Sequence, residues 1–259
     1  MMQCAAPTAP SPILDTIMLR SLLTKPWRSL AFGAASLPSQ CAVCGSWPAQ
    51  RLCSACLARL AQPRPRCRCC ALPLPREGGA TQCGQCLLHP PPLFACVAAV
   101  DYAYPWAGLL GEFKFRGDPG WAEPLSALLR SAPSAESALE VADWLVPIPL
   151  TPLRLSERGF NQAQRLALAL AKKKTRDGLL LRVGATPDQH ALGRAERLAN
   201  LQSAFAVDPL RTPELKGRHV LLVDDVMTTG ATLHAAARAL HEAGAAQVSA
   251  MVVARADLR

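Results

Sequence analysis

Val220-Leu-Leu-Val-Asp-Asp-Val-Met-Thr-Thr-Gly-Ala-Thr-Leu233 is the stretch on which the fold turns. The run Val220–Val223 is wholly apolar, as a strand driven into the middle of a parallel sheet must be. Two adjacent carboxylates, Asp224 and Asp225, follow it directly. Like charges at a strand end are costly unless hydroxyls or a cation compensate them. Small residues then lead into a helix: Thr228, Thr229, Gly230, Ala231 and Thr232. Backbone N–H groups and threonine hydroxyls at a helix N-terminus converge on one anion. An acid pair for a diol beside a cradle for a phosphate fits a sugar phosphate. A plain strand, turn and N-capping threonine explains Thr228 or Thr229, but leaves the acid pair without a reason.

Working outward, Thr232–Glu242 reads as a helix stopped by Gly244, and Gln247–Ala254 as a last strand. Upstream, Phe94–Val100, Trp144–Ile148 and Leu179–Val183 are apolar strand candidates. Helical patterns cover Pro105–Lys114, Trp121–Arg130 and Arg154–Lys174, the last closed by lysines that suit the helix dipole. Residues 184–206 are polar and irregular. From about residue 140 strands and helices alternate, the pattern of βαβ units and a parallel sheet. The fold class is therefore α/β, with ligand loops at the carboxyl ends of strands.

The bulk composition bounds the rest. A chain of 259 residues, half of them hydrophobic, can bury a sizeable core and is not disordered throughout. No apolar run approaches the roughly 18–20 residues of a membrane span. No basic segment leads an apolar run into a cleavage site, so a cytoplasmic protein is expected. Ile13–Leu23 is mildly amphipathic, either a short helix or a segment upstream of a start at Met18. The net charge of +9 favours phosphates, nucleic acid or acidic lipid, or reflects arginine-rich coding; alone it decides nothing.

The 11 cysteines all fall at or before Cys96. Clustered cysteine without an export signal points to metal rather than to disulfides. The pairs Cys41-x-x-Cys44, Cys53-x-x-Cys56, Cys67-x-x-Cys70 and Cys83-x-x-Cys86 each place two thiolates on one ion, and two pairs close a tetrahedral site. Structural Zn2+ is the expectation, over redox-active pairs or an iron–sulfur cluster. One or two ions, sequential or cross-braced pairing, and Cys69 in place of Cys70 are all compatible with the spacing. Cys4 and Cys96 stand outside the pairs. Arg64, Arg66 and Arg68 run through the middle of the block, as a nucleic-acid contact, a docking face or solvated surface.

The motif at Val220–Leu233 resembles the signature of type I phosphoribosyltransferases, which bind 5-phosphoribosyl 1-pyrophosphate (PRPP). The resemblance implies a type I phosphoribosyltransferase fold, a parallel sheet flanked by helices. It implies that Asp224 and Asp225 hold the ribose 2′- and 3′-hydroxyls, and that Thr228, Thr229, Gly230, Ala231 and Thr232 hold the 5′-phosphate. Mg2+ would bridge the pyrophosphate near the loop Pro147–Pro152. Enzymes of this type that act on 6-oxopurines carry an acid where Thr228 stands, so such a base is disfavoured here.

Further segments resemble the ComF family: Leu153–Gln162, Leu192–Asn200 and Phe113–Asp118, together with the cysteine pairs, in order from about Cys41 to Arg255. That family is linked to natural competence and the use of external DNA, which implies DNA uptake machinery and single-stranded DNA as partners. The implied activity is transfer of a phosphoribosyl group to an unidentified acceptor, or PRPP sensing without turnover. No residue stands out as a general base. The expected organisation is a flexible segment 1–40, a zinc module 41–90 and a phosphoribosyltransferase-type domain 93–259, with Pro90-Pro91-Pro92 as linker. Arg154 and Arg158 are candidates to clamp pyrophosphate, and Arg194 and Arg197 to form a hood over the second substrate. Lys114 and Arg116 face either the same cleft or solvent.

Overall fold

The apolar run Val220–Val223 lies within strand His219–Met227 (β5), paired on one side with Gln247–Arg255 (β6) and on the other with Trp144–Pro147 (β2). Cys96–Asp101 (β1) completes a parallel sheet ordered β1-β6-β5-β2. The α/β class follows the alternation in the sequence. The computed structural model describes residues 39–183 and 204–257, all within the compact unit Ser39–Arg259. The expected flexible segment 1–40 lies outside them up to residue 38, with the Ile13–Leu23 helix and Cys4; so do Arg194, Arg197 and the segment Leu192–Asn200.

Alternation along β5 and β6 sends successive side chains to opposite faces. Val220, Leu222, Val248, Ala250 and Val252 join one buried cluster, and Leu221, Val223, Met251 and Val253 the other. The first face is covered by helix Ala231–Glu242, through Leu233, Ala236, Ala237 and Leu240. The second is covered by helices Trp106–Phe115, Ala122–Arg130, Ala135–Val141 and Gln162–Ala171, with Phe113 and Leu125 fully buried.

Several expectations change. Arg154–Lys174 is two helices, Pro152–Arg158 and Gln162–Ala171. Gly159, at φ 76°, ends the first in the left-handed conformation, and the Asn161 side chain caps the second by accepting from Gln164 N. Lys174 serves a neighbour, not its own helix: its Nζ donates to the carbonyls of Leu139, Glu140 and Ala142 at the end of Ala135–Val141. Leu180–Arg182 (β3) does not join the main sheet. It pairs antiparallel with Phe205–Val207 (β4), a strand that begins at the end of the stretch expected to be irregular.

The cysteine block is a tandem repeat of one small unit. In each half a Cys-x-x-Cys turn is followed by a short helix whose N-cap is the third cysteine: Cys53 before Ser54–Leu60, Cys83 before Gly84–Leu88. The residue after each turn takes positive φ, Gly45 at 73° and Ala71 at 55°. The two halves dock on different parts of the core. The first half contributes Leu52 to the helical face, and Arg51 pairs with Asp118 at 2.5 Å over the ring of Trp121. The second half contributes Cys67, Cys70, Ala71, Cys83 and Cys86 to the face that holds Val220 and Leu222.

Candidate functional site

β5 carries the acid pair inside the strand, not after it, and the strand continues to Met227. Asp224 and Asp225 therefore leave opposite faces of the sheet. Asp225, on the face of Phe113, is buried at 6 % exposure and meets Lys114 Nζ at 2.9 Å. Lys114 thus turns to the acid pair, while Arg116 is exposed and reaches Glu112 at 3.6 Å. Asp224 accepts from the N–H of Asp225 at 2.8 Å. Burial first, and the Asp225 charge second, push the Asp224 carboxyl up to about 7, against the pull of Lys114 and Arg182.

Arg182 is the cation of this site that sequence reasoning missed. It sits in β3, its charge acts on Asp224 and on Arg154, and its guanidinium lies over the ring of Phe205 at 5.2 Å. An arginine in a strand of otherwise apolar residues was the available signal. Arg154 is exposed on the helix capped by Thr151, near enough to Arg182 for the two charges to repel. Arg158 is engaged elsewhere: its Nη1 donates to Gln162 Oε1 at 3.0 Å, and its guanidinium lies over Phe115. The loop Pro147–Pro152 stands beside the acid pair, since Ile148 N donates to Val223 O and Asn161 Nδ2 to Ile148 O, each at 3.0 Å.

Thr228 and Thr229 are exposed at the mouth of the cradle, and Gly230 is buried beneath them. The first-turn N–H groups of a helix have no intrahelical acceptor. Here the N–H of Ala231 donates to Thr229 Oγ1 at 3.3 Å. Gly230 is required by its conformation, φ 84°, and by space: a Cβ would lie 2.5 Å from Met227 Cε and 3.0 Å from the His234 ring. Gly230→Ala is expected to cost about 1–3 kcal/mol of stability, read as a fall in thermal midpoint.

The four cysteine pairs resolve into two groups, Cys41, Cys44, Cys53, Cys56 and Cys67, Cys70, Cys83, Cys86, with the sulfurs of each within 4.8 Å of one another. Pairing is therefore sequential, not cross-braced, and Cys70 is the ligand candidate in its turn. Cys69 instead accepts from Gln82 Nε2 at 3.0 Å. The thiols of each group are pulled apart in acidity. Burial alone would raise Cys41, yet N–H donors of Cys53, Cys44 and Val43 bring it down to about 6, while burial drives Cys56 up to about 12. Cys67 falls to about 7, and burial raises Cys70 to about 11. Four sulfurs this close can share one cation, and an all-sulfur set of four suits Zn2+.

Known proteins are similar to this chain in sequence. A model of the phosphoribosyl transferase domain matches residues 158–257, which carry the acid pair and the cradle. The chain is 33% identical to the DNA utilization protein YhgH of Escherichia coli (strain K12), over 85% of its own length and 98% of that protein's. It belongs to the ComF family. This ComF-family chain is also 31% identical to Competence protein F of Haemophilus influenzae, over 79% of its length and 90% of that protein's. It is 38% identical to Competence protein ComFC of Bacillus subtilis over a shorter span, 56% of its own length and 58% of that protein's. Among the described residues no helix is long and apolar enough to cross a membrane.

Proposed function

We propose that this ComF-family protein binds PRPP, works in the cytoplasm in the uptake or use of DNA, and has the chemistry of a phosphoribosyltransferase with an acceptor still to be found. The relatives named for DNA utilization and competence support the cellular role. The observation that carries the biochemical reading is the acid pair in the carboxyl half of β5, Asp225 paired with Lys114 and Asp224 within the electrostatic reach of Lys114 and Arg182, with Gly230 and the start of helix Ala231–Glu242 directly beyond.

In this reading Asp224 and Asp225 accept from the ribose hydroxyls, and the desolvated Asp224 becomes fully anionic as they arrive. Thr228–Thr232 donate to the 5′-phosphate. Mg2+ enters as part of the substrate, on the pyrophosphate, which leaves as C1 is substituted. Arg154 and Arg182 neutralise the departing charge, and Arg194 and Arg197 are the candidates to cover the second substrate. Zn2+ in the two cysteine groups is structural. Calorimetric titration of the zinc-loaded protein with PRPP and Mg2+ tests the reading: micromolar binding supports it, and no heat from a folded protein removes it. Pyrophosphate release with an added acceptor separates turnover from sensing.

A nucleic-acid reading draws on one feature. Arg64, Arg66 and Arg68 line a cleft of about 520 Å³ against β1. Arg64 and Arg66 are already paired with Asp101, at 2.6 and 2.8 Å, so the cleft offers less free charge than its sequence suggests. If single-stranded DNA binds there, log affinity falls linearly with log salt, with a slope of about −0.7 per phosphate neutralised. Arg68→Ala is then expected to reduce that slope, in a fluorescence-anisotropy titration over salt, while leaving PRPP affinity alone.

A further inference from the structure

Arg255, the last residue of β6, is buried at 7 % exposure and points back across the sheet end. Its Nε donates to the carbonyl of Cys70 at 2.8 Å. Its Nη1 donates to Met227 O at 3.1 Å, and also faces the carbonyls of Thr228 and Ala256. One guanidinium thus grips the second cysteine group with one edge and the start of the candidate phosphate loop with the other. We infer that Arg255 is a positioning residue that turns the phosphate-loop amides toward their ligand, anchored on the cysteine group at Cys67–Cys86. This rests on the PRPP reading for the identity of the ligand, and on the metal reading for the rigidity of the anchor.

The geometry of the peptide bond supplies the argument. A trans peptide is planar, with its C=O and the next N–H pointing in opposite directions. Holding the carbonyls of Met227 and Thr228 against Arg255 therefore turns the N–H groups of Thr228 and Thr229 away from it, toward the exposed side of the loop. Those are the first donors of the cradle. Met227 O is held a second time by the N–H of Ala256, at 2.9 Å. The side chain of Met227 is fixed too, with its sulfur 3.6 Å from Cys96 Sγ.

The other end of the link is firm only if Cys70 is firm. Cys70 ends its turn, and the next residue, Ala71, is fully buried at φ 55°, a conformation an alanine holds only when its surroundings impose it. The N–H of Ala71 donates to Cys67 O at 2.7 Å, which closes the turn. A metal on Cys67, Cys70, Cys83 and Cys86 would lock this turn, and with it the carbonyl that Arg255 Nε uses. Among the described residues the first cysteine group has no such link; beside it, Arg51 pairs with Asp118 and lies over Trp121.

The test is amide hydrogen exchange at Thr228–Thr232 in the ligand-free protein, followed by calorimetry with ribose 5-phosphate. In Arg255→Met the loop carbonyls lose the guanidinium, leaving Met227 O with the Ala256 N–H alone, and exchange is expected to speed up about tenfold or more while ribose 5-phosphate affinity falls by about tenfold. Arg255→Lys keeps a donor for the loop but not the fork to Cys70, so it should restore part of both losses. Cys86→Ser, which takes one ligand from the second group, should speed exchange at the same amides. Unchanged exchange in a folded Arg255→Met protein would overturn the inference, and if that variant does not fold, unchanged exchange in Arg255→Lys does the same. Unchanged exchange in Cys86→Ser overturns the link to the cysteine group. A wild type that binds no ribose 5-phosphate, with exchange still accelerated in the variants, removes the PRPP reading and leaves the role of Arg255 in place.

Discussion

Asp224→Asn/Asp225→Asn is expected to lose PRPP binding by at least about 100-fold, or about 2.7 kcal/mol, since each carboxylate is a charged acceptor for a ribose hydroxyl. Calorimetry on the double variant beside the wild type reads the loss, and equal affinity would remove the acid pair from the site. The two single variants should differ in the empty protein. Asp225→Asn leaves the half-buried Lys114 without its partner at 2.9 Å and should destabilise the fold. Asp224→Asn should do the reverse at neutral pH and above. The Asp224 carboxyl stands at about 7 in the fold against 3.8 unfolded. Between those values the folded chain holds a proton that the unfolded chain has lost, so stability falls as pH rises through this window. Thermal melting of the ligand-free wild type at about pH 5 and about pH 8 should show that fall, a few kcal/mol at most, and Asp224→Asn should flatten it.

Removing zinc is the second large effect. Binding at a structural Cys4 site contributes roughly 10–16 kcal/mol near neutral pH, as much as the whole stability of an ordinary domain, roughly 5–15 kcal/mol. Chelation is therefore expected to collapse the cysteine block. Because Cys67, Cys70, Cys83 and Cys86 share a buried cluster with Val220, Leu222 and Leu240, the loss should spread into the sheet. Metal analysis should return two zinc ions per chain, one for each group of thiols. Circular dichroism and protease digestion follow the collapse; an unchanged spectrum and unchanged resistance after full chelation would sink the metal reading.

The strands that carry chemistry were legible in the sequence because they are buried on both faces, and a short continuous apolar run bounded by polar residues suits little besides a central strand. β5 and β6 appear close to where the apolar runs place them. The acid pair was legible for the opposite reason, as a polar break in such a run. The helix break at Gly159 was not, because the alanine- and leucine-rich stretch after it carries the period across the glycine, and only the cap at Asn161 shows where the second helix starts. The pairing of the cysteines was not legible either: spacing fixes which two thiols share a turn, but folding decides which turns meet. The role of Lys174 depends on a helix end about 35 residues earlier, and that of Arg182 on its antiparallel partner Phe205–Val207, farther along the chain. The partners in such contacts are set by the fold and not by neighbours in sequence.

The shared burial of the second cysteine group with the sheet bears on how such chains can be cut and joined. A composition shift at the proline run suggests a removable module. Yet the ring nitrogens of His241 lie 3.2 Å from the carbonyls of Pro92 and Ala245, and Leu93, Cys96 and Ala98 are buried in the same cluster as Cys67 and Cys86. A gene truncated at residue 93 would leave that face of the sheet bare to water, and Arg255 without the Cys70 carbonyl. The cysteine repeat is thus a wall of the house and not an annex: recombination could exchange it between relatives only together with the residues of β1 and β6 that lean on it.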